Sequence, residues 1–481
     1  MTVRSGDLTA GDLPAVIQGG MGVGVSGWRL ARAVGQTGQL GVVSGTALDI
    51  VFARRLQLGD PTGDLRRALS RFPWQAMAQR VLERWWRPEG LGAGERFANT
   101  PMPTLPLSPE HVDLLVTSAY CEVTLAREGH NMPVGLNLLA KIQLPALPAL
   151  LGAMLAGVAV IVMGGGLPTA VPGVLDALAR GEAVRQRIDA AAPEAGTELV
   201  AELDPSALAE APLRGLVRPL FLGIVSGEAA ARALLRRANG RVDGLVVEHH
   251  RAGGHNAPPR RSGARGAAEA PTYGPRDEPD LEAVRELGLP FWLAGGWSRP
   301  GSLARAIEAG ARGIQVGTAF AACRESGFTK AIKSALLEGA LAGGLQVHTD
   351  GRASPTGYPF KICALREAPA GYGDIDARPR ICDLGFLRTL YRQEGGGVGY
   401  RCPAGPIAAF LSAGGAPEEV AGRRCLCNGL LAAIGLGQWR ESGREAAILT
   451  LGEDWSALAT LAARHGGEHG AGDVVRYLLS G

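Results

Sequence analysis

PFWLAGGWSRPGSLARAIEAGARGIQVGTAF, residues 290–320, alternates short apolar runs with glycine turns. Its first run, Phe291–Ala294, is too short for a helix and ends at two glycines, so it predicts a buried strand. Arg299-Pro300 then opens a stretch with apolar residues at helical spacing, and residues 313–316 form a second strand that stops at another glycine. Two parallel strands joined by one helix make a βα unit, and the exposed amides of its glycine turns can hold an anion. The alternative is an ordinary βαβ crossover whose glycines only make turns.

The same alternation extends over most of the chain. Short apolar runs that predict strands begin near residues 15, 41, 134, 159, 220, 245, 291 and 313. Eight strands, each followed by a helical or loop stretch, predict an α/β fold, a (β/α)8 TIM barrel over residues 10–340 with its site at the carboxyl ends of the strands. In such a barrel the loops after strands 7 and 8 are the usual phosphate site. A doubly wound sheet is the alternative, but no early GxGxxG is followed by an acidic residue at the spacing that dinucleotide binding requires.

Two regions depart from the barrel pattern. Residues 50–130 contain a helical stretch with Trp85 and Trp86 and then a passage rich in proline and glycine, which predicts an insertion after strand 2. Beyond residue 345 the sequence pattern differs from that of the barrel. Five of the seven cysteines fall in this part of the chain. We expect residues 345–481 to form a C-terminal extension that packs on the barrel.

Composition limits the partners and the compartment. The 481 residues include 49 basic and 46 acidic ones, so no strong basic field is available to attract nucleic acid or a membrane, and we expect neither as a partner. The amino-terminal stretch has no apolar segment typical of a signal peptide. Seven cysteines without a secretory signal indicate a reducing compartment, so the sequence predicts a cytoplasmic protein.

The strongest polar cluster is EHHRAGGHN, residues 248–256, which follows a strand and should therefore lie at the barrel mouth. Its glycines let the backbone approach a flat ligand, and a neutral imidazole at His255 could take a proton or hydrogen-bond an anion. We expect His249 and His250 to be exposed loop residues. His249 and His255 could also be metal ligands, but no carboxylate or cysteine at close spacing completes a ligand set in the sequence.

Several short motifs together resemble a known family. AGGH at residues 252–255, AGG at 294–296 and GIQVGTAF at 313–320 look like the nitronate monooxygenase (2-nitropropane dioxygenase-like) family of FMN-dependent TIM barrels. VIQGGMGVGVS at 16–26 and LGVVSG at 40–45 are similar to the first two strand ends of that family. The likeness covers residues 10 to 340, and the order of the motifs carries it rather than any single motif.

The resemblance implies a non-covalently bound FMN and names the residues that would hold it. The first strand end would lie against the isoalloxazine ring, and Asn137 would hydrogen-bond the flavin. The glycines after strands 6 and 7 would line the cofactor, and the end of strand 8 would close on its phosphate. Glu248 stands where many relatives have glutamine. His255 matches the catalytic histidine of the family. The implied cofactor-binding residues are Gln18, Gly19, Gly20, Met21, Asn137, Glu248, Gly254, Gly295, Gly296, Gln315, Gly317 and Thr318.

The chain departs from the family pattern in two ways. Relatives commonly have an acidic residue before AGGH, whereas this chain has Arg251. The chain beyond residue 345 is longer than a barrel needs, which is similar to a long-chain branch of the family with a cysteine-containing C-terminal extension. These departures leave the substrate open.

Four cysteines of the extension form a candidate metal site. Four thiolates can hold zinc tetrahedrally or an iron–sulfur cluster. The spacing does not match the usual CxxC ribbon, so the alternative is that these cysteines pack as small apolar residues. The four are Cys382, Cys402, Cys425 and Cys427.

Three functions are compatible with these features. The first is an FMN-dependent monooxygenase that oxidises a small nitronate or similar acidic-carbon substrate with O2. The second is an FMN-dependent enoyl reductase or dehydrogenase that uses NAD(P)H. The third is a flavin-binding accessory subunit of a biosynthetic complex. A homodimer is one assembly that the sequence allows.

Overall fold

The computed structural model describes residues 8–191, 198–210, 215–260, 270–365, 377–393, 396–441 and 443–480. Its strands are β1 (Val16–Gln18), β2 (Leu40–Ser44), β3 (Val134–Leu139), β4 (Val160–Gly164), β5 (Val184–Ile188), β6 (Ala190–Ala191), β7 (Leu199–Leu203), β8 (Leu220–Val225), β9 (Gly244–Glu248), β10 (Phe291–Ala294), β11 (Gly313–Val316), β12 (Gln346–Asp350), β13 (Phe360–Ala364), β14 (Thr389–Arg392), β15 (Val398–Arg401), β16 (Trp439–Arg440) and β17 (Gly443–Arg444).

The helices of the described residues fall between these strands. They are α1 (Trp28–Gly35), α2 (Leu48–Gln57), α3 (Asp64–Leu69), α4 (Gln75–Trp85), α5 (Pro109–Ala126), α6 (Ala146–Leu155), α7 (Val171–Ala179), α8 (Pro205–Leu208), α9 (Glu228–Arg237), α10 (Leu281–Arg285), α11 (Ser302–Glu308), α12 (Lys330–Leu341), α13 (Ile407–Ser412), α14 (Leu426–Ala433), α15 (Ser456–His465) and α16 (Ala471–Leu479). None of them is both long and apolar enough to cross a membrane.

Eight parallel strands close into a barrel in the order β1-β11-β10-β9-β8-β4-β3-β2. The last strand returns to the first, because Val16 pairs with Ile314 and Gln18 with Val316. These are the eight strands that the apolar runs predict, so the TIM barrel is confirmed.

Apolar side chains fill both sides of the barrel wall. One buried cluster inside the barrel includes Ile17, Val42, Val162 and Val246 from four different strands. Trp292 is fully buried in the same cluster, and its indole Nε1 donates a hydrogen bond to the carbonyl of Pro14 over 3.1 Å. A larger cluster joins the outer faces of the strands to the surrounding helices. The barrel is therefore a packed core that leaves room for a ligand only at its mouth.

The region between β2 and β3 contains three more helices than one barrel unit needs. Helix α5 is the barrel's own crossover, because it packs against β2, β3 and the next barrel helix, α6. Helices α2, α3 and α4 precede it and pack on its outer side. Trp85 ends α4 and is buried in the same core. The additional helices lie where the sequence predicts an insertion.

The extension packs back on the barrel. Helix α16 contacts α1, and helix α15 contacts α12, the last helix before the extension. Strand β14 pairs in parallel with β6, which lies between the fourth and fifth barrel strands, at Leu390 and Ala190. The antiparallel pair β12–β13 lies beside the barrel mouth, since His255 forms an isolated β-bridge with Phe360. The extension thus reaches the site end of the barrel.

Candidate functional site

A cavity of about 230 Å³ lies at the carboxyl ends of the barrel strands. Its walls come from the ends of β1, β3, β9, β10 and β11 and from the extension. All but one of the residues that the resemblance implies for cofactor and catalysis line it: Gly19, Gly20, Met21, Asn137, Glu248, Gly254, His255, Gly295, Gly296, Gln315, Gly317 and Thr318. Their roles toward a flavin stay predictions, but the structure brings them to one place.

Gln18 is the implied residue that does not line this cavity. Its side chain is fully buried and both ends of its amide are used by the protein. The amide nitrogen donates to Ser26 Oγ over 2.8 Å, and the amide oxygen accepts from the backbone of Val42 over 3.2 Å. Gln18 therefore stabilises the glycine turn after β1 and does not face the cavity.

Glycines shape the cavity at two of its turns. Gly254 and Gly296 adopt φ angles of +82° and +91°, which L side chains rarely adopt. A Cβ on Gly254 would meet no atom within 4 Å, and one on Gly296 would meet only Arg251 Cδ, at 3.6 Å. Side chains at these positions would therefore project into open space that a ligand could occupy.

The end of the cavity near β10 and β11 is covered by residues 450–454 of the extension. The backbone N–H of Gly254 donates to Thr450 Oγ1 over 2.7 Å, and that of Gly452 donates to Thr318 Oγ1 over 2.9 Å. Arg251 also lines the cavity here. The predicted phosphate end thus includes Arg251, which the sequence showed only as a departure from the family pattern. It also includes residues 450–454, which no sequence motif indicated.

His255 is held by the extension. Its Nε2 lies 2.7 Å from Ser354 Oγ, and its ring packs edge-on against Phe360 with centroids 4.9 Å apart. Burial, followed by the nearby Lys141 ammonium, lowers the pKa of His255 well below its usual value. The imidazole is therefore neutral near pH 7, and one of its ring nitrogens carries a lone pair.

Ser354 is fixed in turn by other groups of the extension. Its hydroxyl also lies 2.8 Å from Thr356 Oγ1, so it can accept from His255 Nε2 while donating to Thr356. Its carbonyl accepts a hydrogen bond from Arg423 over 2.5 Å. In that arrangement the hydrogen of the imidazole sits on Nε2, and Nδ1 is left as the proton acceptor. Nothing in the local sequence around Ser354 indicates this contact with a residue ninety-nine positions away.

Lys141 and Glu248 form a buried pair of titratable groups beside His255. Burial raises the pKa of Glu248 to about 7 and lowers that of Lys141 to about 7, and each charge opposes the shift of the other. Lys141 Nζ is buried without a hydrogen-bond partner among the described residues and lies 3.9 Å from the ring centroid of Tyr358. Both groups can therefore exchange protons near neutral pH. Lys141 lies just after β3 and belongs to no motif, so the local sequence does not mark it as a site residue.

A second cavity of about 250 Å³ adjoins the first. Glu248 and His255 line both cavities, so they form part of the shared wall. Basic and aromatic side chains contribute much of the remaining surface, namely Lys141, His249, His250, Arg260, Tyr273 and Tyr358. This composition suits a small anionic molecule.

The expectation that His249 and His250 are exposed is wrong. His249 is buried and its Nε2 lies 2.8 Å from a carboxylate oxygen of Glu278. His250 is half-buried and stacks on Tyr273 with ring centroids 4.1 Å apart. A ring nitrogen of each histidine and a carboxylate oxygen of Glu278 lie within 4.8 Å of one another. Folding thus places beside these histidines a carboxylate that their local sequence lacks.

The four candidate cysteines of the extension also come together. Cys382, Cys402, Cys425 and Cys427 all line a third, small cavity. Cys121 and Cys323, by contrast, are fully buried, and burial raises the pKa of both thiols. Those two therefore pack as small apolar residues.

Comparison with known proteins gives one match at the level of sequence families. Residues 214–353 match the family model described as nitronate monooxygenase. This segment includes β8 to β11, the AGGH turn and both glycine turns of the opening motif. The search of curated proteins found no match.

Solved structures are similar to the chain at low identity. FabK from Thermotoga maritima has a TM-score of 0.46 at 14% identity, over 97% of this chain and 91% of that chain. Nitroalkane oxidase from Streptomyces ansochromogenes has a TM-score of 0.45 at 18% identity, over 97% and 94%. The enoyl reductase domain of MlnA from Bacillus amyloliquefaciens has a TM-score of 0.34 at 12% identity, over 74% and 64%.

The family match and the resemblance rest on overlapping residues. The AGGH turn, the AGG turn and the GIQVGTAF run all lie inside residues 214–353 and all border the main cavity. The part of the barrel that builds this side of the cavity thus carries the sequence signature of the nitronate monooxygenase family.

Proposed function

We propose that this protein is an FMN-dependent oxidoreductase that oxidises a nitronate, or a similar acidic-carbon substrate, with O2. The observation that carries the proposal is the position of His255, a neutral histidine on the wall shared by two cavities. The family match over residues 214–353 supports the same chemistry.

The main cavity has the features that an FMN site needs. Three glycine turns, after β1, β10 and β11, converge on it, and the positive φ angles of Gly254 and Gly296 leave space that a side chain would fill. Arg251 and the backbone amides near Gly296 and Gly317 could hold a phosphate. When bound, FMN supplies the redox chemistry that side chains cannot provide.

The second cavity is the candidate substrate site. Lys141 and Arg260 offer positive charge for an anionic head group such as a nitronate. His255 Nδ1 accepts the proton of a carbon acid, or steadies the anion by a hydrogen bond when the proton has already left. Ser354 keeps the imidazole ring in the required orientation.

Glu248 and Lys141 line the second cavity and could exchange a proton with a molecule bound there. With pKa values near 7, both groups can exchange protons with such a molecule near neutral pH. A glutamine at position 248, as in many relatives, would hydrogen-bond but not titrate. The chain's own proton relay is therefore part of this proposal.

Anaerobic mixing of the purified protein with either of two reductants tests the function. The nitronate of 2-nitropropane should bleach the flavin absorbance rapidly, and admission of O2 should restore it. NADPH alone should bleach it much more slowly. Rapid bleaching by NADPH and none by the nitronate would overturn the proposal in favour of an enoyl reductase. Bound flavin that neither reagent reduces would instead indicate an accessory subunit.

A further inference from the structure

Lysine is rare in this chain. Only four of its 49 basic residues are lysines, and one of the four, Lys141, lines the second cavity. The other basic residues are arginines, whose guanidinium groups stay protonated in proteins. A lysine differs, because its amine can lose a proton and then carries a nucleophilic lone pair.

Lys141 differs from two other lysines of the chain in its contacts. Lys361 is fully buried, and its Nζ donates to Thr349 Oγ1 and to a carboxylate oxygen of Glu453. Lys333 Nζ donates to two backbone carbonyls, over 3.0 and 2.8 Å. Lys141 Nζ is buried and has no hydrogen-bond partner among the described residues. The first two amines therefore stabilise the fold, whereas that of Lys141 is left for a ligand.

The surroundings of Lys141 favour the neutral amine. An ammonium group has three N–H donors, and burial without acceptors for them costs free energy. Burial accordingly lowers the pKa of Lys141 to about 7, although the carboxylate of Glu248 opposes the shift. About half of such an amine is neutral at pH 7, compared with less than about 0.1% for an ordinary lysine. The charged half can still attract an anionic head group.

The amine lies at the edge of the second cavity. Lys141 Nζ is 3.9 Å from the ring centroid of Tyr358, and a Cβ on Gly165 would lie 3.7 Å from it. Tyr358 and Gly165 both line the cavity. Tyr358 is 37% exposed, so its ring borders solvent and can rotate on a fast timescale. A ligand in the cavity can therefore take the place of this ring beside the amine.

Glu248 offers the acid that reaction of an amine with a carbonyl group requires. It lines the same cavity and interacts electrostatically with Lys141. Burial raises the pKa of Glu248 to about 7. A carboxyl group with that pKa can donate a proton to an oxygen and take one back near neutral pH. A nucleophile and a general acid thus face one cavity.

We propose that Lys141 forms an imine with a small aldehyde or ketone bound in the second cavity. The neutral Nζ attacks the carbonyl carbon, a C–N bond forms, and the carbonyl oxygen takes a proton from Glu248. The nitrogen returns a proton to the Glu248 carboxylate, which donates it again as the hydroxyl group leaves as water. The protonated imine remains, and one amine and one carbonyl have given one imine and one water.

This activity goes beyond the proposed oxidation. Imine formation transfers no electrons, so it needs neither flavin nor O2. Arg260 and Tyr273 also line the second cavity. A guanidinium group binds carboxylates well, so a carbonyl compound that carries a carboxylate, such as a 2-oxo acid, suits this lining best.

Reductive trapping in the full-length protein tests the proposal. Sodium cyanoborohydride reduces an imine to a stable secondary amine, and mass spectrometry of peptides locates the adduct. With pyruvate or propanal as the probe at pH 7, Lys141 should be labelled at least about tenfold faster than Nα-acetyl-lysine in the same solution, because more of its amine is neutral. Lys141→Arg should lose this label. Lys330→Arg, which changes an exposed lysine outside both cavities, should keep it.

The labelled position is identified in the unaltered protein, so the result does not depend on the folding of a variant. Labelling of Lys141 no faster than that of Nα-acetyl-lysine with both probes would overturn the proposal. Glu248→Gln should slow the labelling by about 10²-fold, and an unchanged rate would contradict the mechanism. Labelling of Lys141 in a protein whose flavin the nitronate does not bleach would count against the proposed function alone. Bleaching without labelling would count against the imine alone.

Discussion

The barrel and the extension build the same cavity by different means. The barrel contributes glycine turns and polar residues at the ends of strands, each placed by a repeating βα unit. The extension contributes Ser354, Thr450 and Gly452 from separate segments with no repeat. The difference shows that a repeating architecture sets where a cofactor could lie, whereas an irregular addition orients His255 and covers one end of the cavity.

The largest expected effect concerns the barrel side of this comparison. Gly296→Leu would place a side chain in the main cavity, so the purified protein should lose nearly all bound flavin, measured by absorbance. Gly301→Leu is the matched control, because Gly301 also has a positive φ, of +76°, but does not line the cavity. Equal flavin loss in both variants would mean that backbone strain, and not the filled space, expels the cofactor.

The next prediction concerns His255, which lies at the barrel mouth and contacts Ser354 of the extension. His255→Ala should keep the flavin and lower turnover of the nitronate by about 10²–10⁴-fold, the usual contribution of a general base. His348→Ala changes an exposed histidine of β12 and should leave turnover unaltered. An unchanged kcat in His255→Ala would remove this histidine from the mechanism.

A smaller effect isolates the contribution of the extension. Ser354→Ala removes the hydroxyl that orients His255, and one hydrogen bond of about 1 kcal/mol corresponds to about a fivefold fall in kcat. Flavin content should not change, since Ser354 does not line the main cavity. Ser412→Ala, at an exposed site of α13, is the control. Loss of flavin together with activity would show that the extension holds the cofactor and does not merely orient the histidine.

The last prediction concerns stability and not turnover, namely its dependence on pH. The pKa of Glu248 is raised to about 7 in the folded protein, above its unfolded value, so the folded state holds more protons between the two values. The free energy of unfolding should therefore fall as the pH rises from about 4.5 to 7, by about 1.4 kcal/mol for each unit of pKa difference that survives the coupling to Lys141. Glu248→Gln should remove this dependence in urea titrations at pH 5 and pH 7.5. An identical dependence in both proteins would show that Glu248 does not titrate in this range.

Most of the barrel could be predicted from sequence alone. All eight strands lie where short apolar runs end in turn residues, because a strand buried on both faces needs a continuous apolar run and a parallel sheet needs a break after each strand. Twelve of the thirteen residues implied for cofactor and catalysis border one cavity for the same reason, since strand carboxyl ends meet at one end of a barrel. Gln18 differs because its amide is used to support the first turn.

Local patterns and the βα repeat are enough to predict the eight-stranded barrel, the position of the cavity and the presence of His255 at its wall. The distant groups that act on that histidine are brought to it by the three-dimensional packing of the chain. The contacts of Ser354 with His255 and of Glu278 with His249, and the electrostatic interaction of Lys141 with Glu248, join positions far apart in the chain. The grouping of the four cysteines belongs to the same class. Such contacts depend on how the extension and the loops pack in three dimensions, and no periodicity of the chain encodes them.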